Sequence, residues 1–149
     1  MNLHPRPRPF IRKHSLSSFT VAVVLFLIVM YSRSDPSTHL GSFFGNAIAD
    51  WTGVVVTVVA TKYLYEKGSR ESKQPKKPLP SDVEEFLREH SLTIFLVATG
   101  IVWVAIFRRM SPNDKWGQVV GNIVSEWTQI LGLVLITKKL LEVGSKEGR

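Results

Sequence analysis

Residues 15–32 read SLSSFTVAVVLFLIVMYS and residues 91–107 read SLTIFLVATGIVWVAIF, and neither stretch contains a formally charged side chain. At a rise of about 1.5 Å per helical residue, each can cross a hydrocarbon layer of roughly 30 Å with slight thinning or polar ends. A helix of a water-soluble bundle usually keeps a charged face, and these two stretches have none. The pattern therefore predicts membrane-spanning helices.

Two further apolar stretches, 40–61 and 116–137, contain one acid each, Asp50 and Glu126. With them the sequence predicts an all-α integral membrane protein with four transmembrane helices. The 149 residues include no cysteine, which excludes disulfides, thiolate zinc sites, iron–sulfur clusters and a cysteine nucleophile. The predicted spans lie at about 15–32, 40–61, 91–107 and 116–137.

Basic residues are distributed unevenly around these spans. Of the 19 Lys and Arg residues, 15 lie before the first span, between the second and third, or after the fourth. The positive-inside rule therefore predicts a multi-pass protein of the bacterial inner membrane with both termini and the central connection in the cytoplasm. The net charge of +7 fits basic residues that face anionic lipid, and it requires no nucleic acid as a partner.

The second half of the chain repeats the first. Residues 10–73 align with residues 86–149 without a gap at an offset of 76, and 23 of the 64 pairs are identical. Only four of the identities fall on the interchangeable residues Leu, Val and Ile, and the others include Gly, Asn, Trp, His, Pro and Glu. We expect two tandem helical hairpins, 1–73 and 86–149, inserted the same way up as parallel repeats. A cytoplasmic linker and the start of a short helix occupy 74–85.

The end of this linker has the pattern of a helix start. Residues 81–84, SDVE, form a capping box, and apolar side chains follow on one side of the expected helix. A helix that lies on the membrane surface, or that continues into the third span, is favoured over a partner-binding motif. The second and fourth helices are expected to extend past the membrane, to about Lys67 and Val143.

Two acids lie near the predicted bilayer midplane. Asp50 and Glu126 are each about ten residues into a span, where a charged carboxylate costs roughly 2.5–3.5 kcal/mol on insertion scales. Asn46 and Asn122 precede them by four residues and share their helix faces, so an amide and a carboxylate can hold one ligand or bond to each other. These four residues are the predicted intramembrane polar or ion site.

Helix packing is the alternative explanation for the same residues. Small and polar side chains let helices approach closely and hydrogen-bond in lipid. Gly41 and Gly45, and likewise Gly117 and Gly121, have the spacing of a packing motif. Packing accounts well for Gly and Asn, but less well for a midplane acid, because a neutral amide would serve at lower cost.

A second group of polar residues is expected at the cytoplasmic edge. His14 and His90 begin the first and third spans, and Glu66 and Glu142 follow the second and fourth. A histidine with two carboxylates can coordinate a divalent cation. The favoured alternative is that His satisfies the start of a helix and that exposed Glu pairs with Lys, so these four residues are weak candidates for metal ligands.

Signatures of catalysis are absent from the sequence. It contains no Gly-rich phosphate loop, no H-E-x-x-H, no G-x-S-x-G and no C-x-x-C. The soluble segments are also too small for an independent active site. We therefore expect no enzyme activity and no cofactor.

The duplicated pattern, HSL…P…GxxxGNxxx[DE]W…TK…ExGSxE, resembles a group of small bacterial inner-membrane proteins with a tandem two-helix hairpin repeat. The resemblance covers nearly the whole chain and implies a topology but no activity. The leading hypothesis is a small polytopic protein that passes cations or protons along a polar intramembrane stripe. The stripe consists of small and polar side chains on one face of each acid-bearing span: Ser42, Asn46, Ala49, Asp50, Gly53, Thr57 and Thr61 on the second, and Gln118, Asn122, Ser125, Glu126, Gln129 and Thr137 on the fourth. The alternative is a non-catalytic structural or accessory subunit. Expected partners are the lipid bilayer and either further copies of the chain or a larger membrane complex.

Overall fold

A computed structural model of the chain describes residues 14–73, 79–111, 113–138 and 140, which fold into helices and connecting turns. Four helices are long and apolar enough to cross a membrane, as in a multi-pass membrane protein. The predicted all-α fold is confirmed for the described residues, and the four long apolar helices begin and end within two residues of the predicted spans. The helices are α1 (Ser15–Arg33), α2 (His39–Tyr63), α3 (Asp82–Glu89), α4 (Ser91–Arg109) and α5 (Lys115–Ile136).

The four long helices pack in the order α1, α2, α5, α4. The two central helices, α2 and α5, contribute most of the buried core, including Ile48, Ile123 and Trp127. The outer helices keep large apolar side chains on the outside, such as Phe26 on α1 and Ile101 on α4, each more than 60% exposed. Acyl chains of lipid can cover such a surface at no cost, whereas water cannot.

Two short turns close the hairpins at one end of the bundle, which we call the turn end. At the first turn, the hydroxyl of Thr38 accepts a hydrogen bond from the backbone N–H of Gly41 and so caps α2. A Cβ atom on Gly41 would lie 1.9 Å from the carbonyl oxygen of Asp35, and one on Gly117 would lie 2.6 Å from that of Ser111. Gly41 and Gly117 therefore let each turn fold over the start of the next helix.

The other two glycines of the predicted packing motifs face a neighbouring helix. A Cβ atom on Gly45 would lie 3.1 Å from the ring of Tyr31 on α1, and one on Gly121 would lie 2.9 Å from the ring of Phe107 on α4. The four glycines of the motifs therefore have two kinds of surroundings: an aromatic ring of a neighbouring helix lies next to Gly45 and Gly121, whereas the backbone of a turn lies nearest to Gly41 and Gly117.

The opposite end, where α1 and α4 begin, is called the linker end. Here α2 stops at Tyr63 and does not reach Lys67 as expected, while Val143 lies outside the described residues. The chain leaves the helix because its backbone pairs with the start of the second hairpin: the N–H of Lys67 donates to the carbonyl of Glu89 over 2.7 Å. Gly68 follows with a φ of 81°, a left-handed turn that glycine adopts without strain.

The short helix α3 directly precedes α4 and packs against its start. Ser81 is its N-cap residue, as the SDVE pattern predicts, but its side chain makes no capping hydrogen bond. Val83, Phe86 and Leu87 are each more than half exposed. The structure therefore leaves the apolar side of α3 uncovered next to the expected membrane surface.

Candidate functional site

Polar side chains line an open groove between the two central helices. All four predicted site residues belong to it, together with Ser125 and Gln129, and its volume is about 330 Å³. Two of the six are half-buried and four are exposed. We call this feature the polar groove, and it is lined by Asn46, Asp50, Asn122, Ser125, Glu126 and Gln129.

One hydrogen bond crosses the polar groove. The side-chain Nδ2 of Asn122 donates to Oδ1 of Asn46 over 2.6 Å and so ties α5 to α2. Each amide has two N–H donors and a carbonyl acceptor, and this bond uses only one group on each side. Both asparagines therefore retain hydrogen-bonding capacity toward the groove.

The two acids occupy the groove differently. The side chain of Glu126 crosses toward α2 and lies on Gly53, where an added Cβ would be 2.6 Å from both Cγ and Oε1 of the glutamate. Glu126 is consequently half-buried, while Asp50 is exposed to the groove. Within the described residues, neither carboxylate takes part in a salt bridge or a hydrogen bond.

Gly53 lies on the predicted polar stripe of the second span, but its contact with Glu126 was not predicted. It lies three residues after Asp50, on the same side of α2, and it is buried. A glycine in register with a polar stripe was the available signal. Which side chain approaches it depends on how α2 and α5 are aligned, and a single helix does not encode that alignment.

A second polar cluster lies at the linker end around Glu66, whose side chain is fully buried. His90 Nδ1 contacts Glu66 Oε1 at 2.7 Å, and the ammonium of Lys138 binds the same oxygen. The backbone N–H of Thr93 donates to the other carboxylate oxygen over 3.3 Å. Burial acts to raise the pKa of Glu66, but the hydrogen bonds from Lys138, Thr93 and His90 outweigh it and hold the pKa below its ordinary value.

The weak metal candidates are held by other contacts. His14 Nδ1 lies 3.0 Å from the ammonium of Lys62, and His90 contacts Glu66. Glu142 lies outside the described residues. In the part of the chain that the structure describes, no group of three His, Cys, Asp or Glu side chains could hold a metal ion. At Glu66 the cation that binds the carboxylate is the ammonium of Lys138.

No family model, no curated protein and no solved structure matches this chain. The structure indicates the class, a helical multi-pass membrane protein, since four helices have the length and hydropathy of membrane spans. Within that class, the distinguishing feature is the polar groove with its two acids at the middle of α2 and α5.

Proposed function

We propose that this protein is a small polytopic membrane protein whose polar groove passes cations or protons through the middle of the bilayer. The observation that carries the proposal is the position of Asp50 and Glu126 in one open groove near the middle of two adjacent spans. Helix packing needs only neutral polar groups, which Asn46 and Asn122 already provide. Two carboxylates that have no partner among the described residues are costly in a membrane unless protons or cations occupy the site.

The groove offers polar groups at successive depths. Asn46 and Asn122 lie nearest the turn end, Asp50 and Glu126 follow one helical turn later, and Gln129 lies nearest the linker end. One turn advances about 5.4 Å along the helix axis. The carboxylates would bind a proton or a cation, and the amide dipoles would replace part of the hydration shell on either side. This role requires no catalysis and no cofactor.

Our proposal includes a duplicated architecture and a cytoplasmic linker end in a bacterial inner membrane. Several contacts support the duplication, because they join or repeat residues that are 76 positions apart. Asn46 pairs with Asn122, and Gly45 approaches Tyr31 as Gly121 approaches Phe107. The concentration of Lys and Arg in the sequence around the linker end supports the orientation. The resemblance to small bacterial inner-membrane proteins agrees with both.

The second candidate function is a structural or accessory subunit of a larger membrane complex. The bond between Asn46 and Asn122 and the fit of Glu126 onto Gly53 favour it, because both are contacts between α2 and α5 that hold helices together. In that case the groove stabilises the protein or its assembly and passes nothing.

Flux measurements in liposomes separate the two candidates. The wild-type chain is reconstituted and imposed proton and potassium gradients are followed with fluorescent dyes. We expect the wild type to dissipate at least one gradient, and Asp50→Asn combined with Glu126→Gln to reduce the rate to that of empty vesicles. The matched control is Glu89→Gln at the linker end, which should retain the flux.

Folding of each variant is checked by helical circular dichroism and by elution from a sizing column. The proposed passage of ions is wrong if, with folded wild type, both gradients decay no faster than in empty vesicles. It is also wrong if the double variant conducts as well as the wild type.

A further inference from the structure

In a single chain, the polar groove between α2 and α5 is open on one side. Asp50, Ser125 and Gln129 are exposed on its open side, near the middle of the spans. Hydrocarbon offers no hydrogen bonds to such groups, and a carboxylate there is more costly than an amide. By contrast, a groove of about 340 Å³ between α4 and α5, lined by residues such as Ile101 and Leu131, is almost wholly apolar and can be filled by acyl chains. The polar groove therefore requires a polar cover that lipid tails do not supply.

We propose that a second copy of this chain supplies the cover, and that the two polar grooves face each other across a twofold axis. The site is incomplete without the partner copy, because each chain contributes one wall of the enclosed space. This inference deepens the proposed function and rests on it, since the space between the two grooves is then the pathway.

The lining of the groove is self-complementary. Asn46, Asn122 and Gln129 each bear both donor and acceptor groups, and the hydroxyl of Ser125 is also both. A surface of this kind can pair with an identical surface, and the bond between Asn46 and Asn122 is already a pairing of one amide with another across two helices. The small side chain of Ser125 allows the two walls to approach closely.

Charge determines what the enclosed space holds. Two copies place four carboxyl groups, from Asp50 and Glu126, around one lumen. Like charges at close range do not all remain ionised and unpaired, so protons or cations must share the space with them. No Lys or Arg lies within the described parts of α2 or α5 that line the groove. A dimer therefore encloses a negative, cation-attracting lumen.

Single-cysteine cross-linking tests the inference directly, because the native chain contains no cysteine. Ser125→Cys places a thiol on the open groove, and Gln129→Cys repeats the test one turn further along. Val102→Cys is the matched control, since Val102 is 56% exposed on the outer helix α4. Each variant is reconstituted in liposomes and treated with copper phenanthroline or with bifunctional maleimides of two lengths.

We expect a shift from monomer to dimer on a denaturing gel for Ser125→Cys or Gln129→Cys, and no shift for Val102→Cys. The dimer fraction should persist as lipid is added in excess, because random collisions become rarer on dilution. If both groove variants stay monomeric while folded, or if Val102→Cys cross-links equally well, the second copy does not cover this groove.

Flux of the wild-type chain, measured in parallel vesicles, distinguishes failure of the inference from failure of the proposed function, because the groove thiols lie in the pathway itself. Groove variants that cross-link while the wild type shows no flux preserve the interface and refute ion passage. Wild-type flux together with groove thiols that do not cross-link preserves ion passage and refutes the interface.

Discussion

The side-chain amide of Asn122 donates to the carbonyl oxygen of Asn46 over 2.6 Å, and this bond joins the two central helices beside the groove. Hydrogen bonds between membrane helices contribute about 0.6 kcal/mol on average and up to about 1.7 kcal/mol. Asp50 and Glu126 lie one helical turn further along. The bond therefore aligns the two helices so that both acids lie at the same depth. This alignment, rather than the small stabilisation, is the main effect of the bond.

Replacing either asparagine removes the same hydrogen bond, so the two substitutions together should destabilise the protein little more than either one alone. We expect Asn122→Leu to lower the free energy of unfolding by up to about 1.7 kcal/mol. Asn46→Leu should have a similar effect, and the double variant should lose little more, because each change removes the same bond. Unfolding in a graded detergent mixture, arranged as a double-mutant cycle, measures this coupling. Strictly additive losses would show that the two amides act independently.

The contact of Glu126 with Gly53 makes a prediction about the groove. Gly53→Ala places a methyl group where the glutamate side chain lies, so Glu126 must move away from α2. We expect Gly53→Ala to conduct ions more slowly than the wild type and to lose about 1–3 kcal/mol of stability through overpacking. Both are measured on the same reconstituted protein.

Gly132 on α5 is the matched control, because an added Cβ there meets nothing within 4 Å. Gly132→Ala should keep the flux and raise helix stability by up to about 1 kcal/mol, as alanine does in place of glycine inside a helix. Equal effects at positions 53 and 132 would contradict the importance of the contact with Glu126.

Glu66 should make the stability of the protein depend on acid pH. Its pKa is lower in the folded protein than the ordinary value of 4.5, so its stabilising contribution is complete above that value and is lost as the pH falls through the lowered pKa. We expect the melting temperature of the wild type to fall as the pH is lowered below about 4.5. Thermal scans by circular dichroism between neutral and acid pH follow this loss.

Substitution of Glu66 tests the cause of that pH dependence. Glu66→Gln should cost about 1.5–3 kcal/mol at neutral pH, the scale for loss of hydrogen bonds to a charged group, and should flatten the acid part of the profile. Glu89→Gln is the control. Glu89 pairs with Lys67, whose side chain is 62% exposed, so water screens the pair and its loss should change the stability little. A profile unchanged by Glu66→Gln would assign the pH dependence to another group.

The uncovered side of α3 predicts contact with the membrane surface. Phe86 and Leu87 are 59% and 51% exposed, and α3 ends one residue before α4 begins. We expect a spin label at position 86 to be shielded from aqueous quenchers in vesicles, and a label at Glu84 to remain accessible. Equal accessibility of the two positions would mean that α3 stands off the bilayer. Because the native chain lacks cysteine, each label has a unique attachment site.

Sequence patterning was sufficient for the spans and for the members of the polar groove. Uncharged stretches such as 15–32 have one stable location in a membrane, so hydropathy alone places their ends closely. The polar stripe could also be predicted from the sequence, because residues four positions apart, such as Asn46 and Asp50, lie on the same face of a helix. The structure brings these residues into one groove with Asn122 and Glu126, the corresponding pair on α5.

Contacts between the two hairpins could not be predicted from the sequence patterns. The pairing of Glu with Lys was favoured over a metal site, but Lys138 reaches Glu66 from a position 72 residues later, so local patterns did not identify the partner or the burial of the carboxylate. The early end of α2 at Tyr63 has a similar cause, since backbone pairing with the start of the second hairpin competes with another helical turn. Local patterns report the preferences of one helix, whereas these features depend on how two hairpins align.

The order of the helices along the chain bears on how the protein enters a bilayer. In each hairpin the more apolar helix comes first: the mean hydropathy is 2.0 for α1 against 1.5 for α2, and 1.9 for α4 against 1.6 for α5. A growing chain therefore delivers a helix without an acid to the insertion machinery before the helix that carries one. The acid-bearing helix, α2 or α5, then inserts next to the more apolar helix that precedes it, so the protein can insert into the membrane one hairpin at a time.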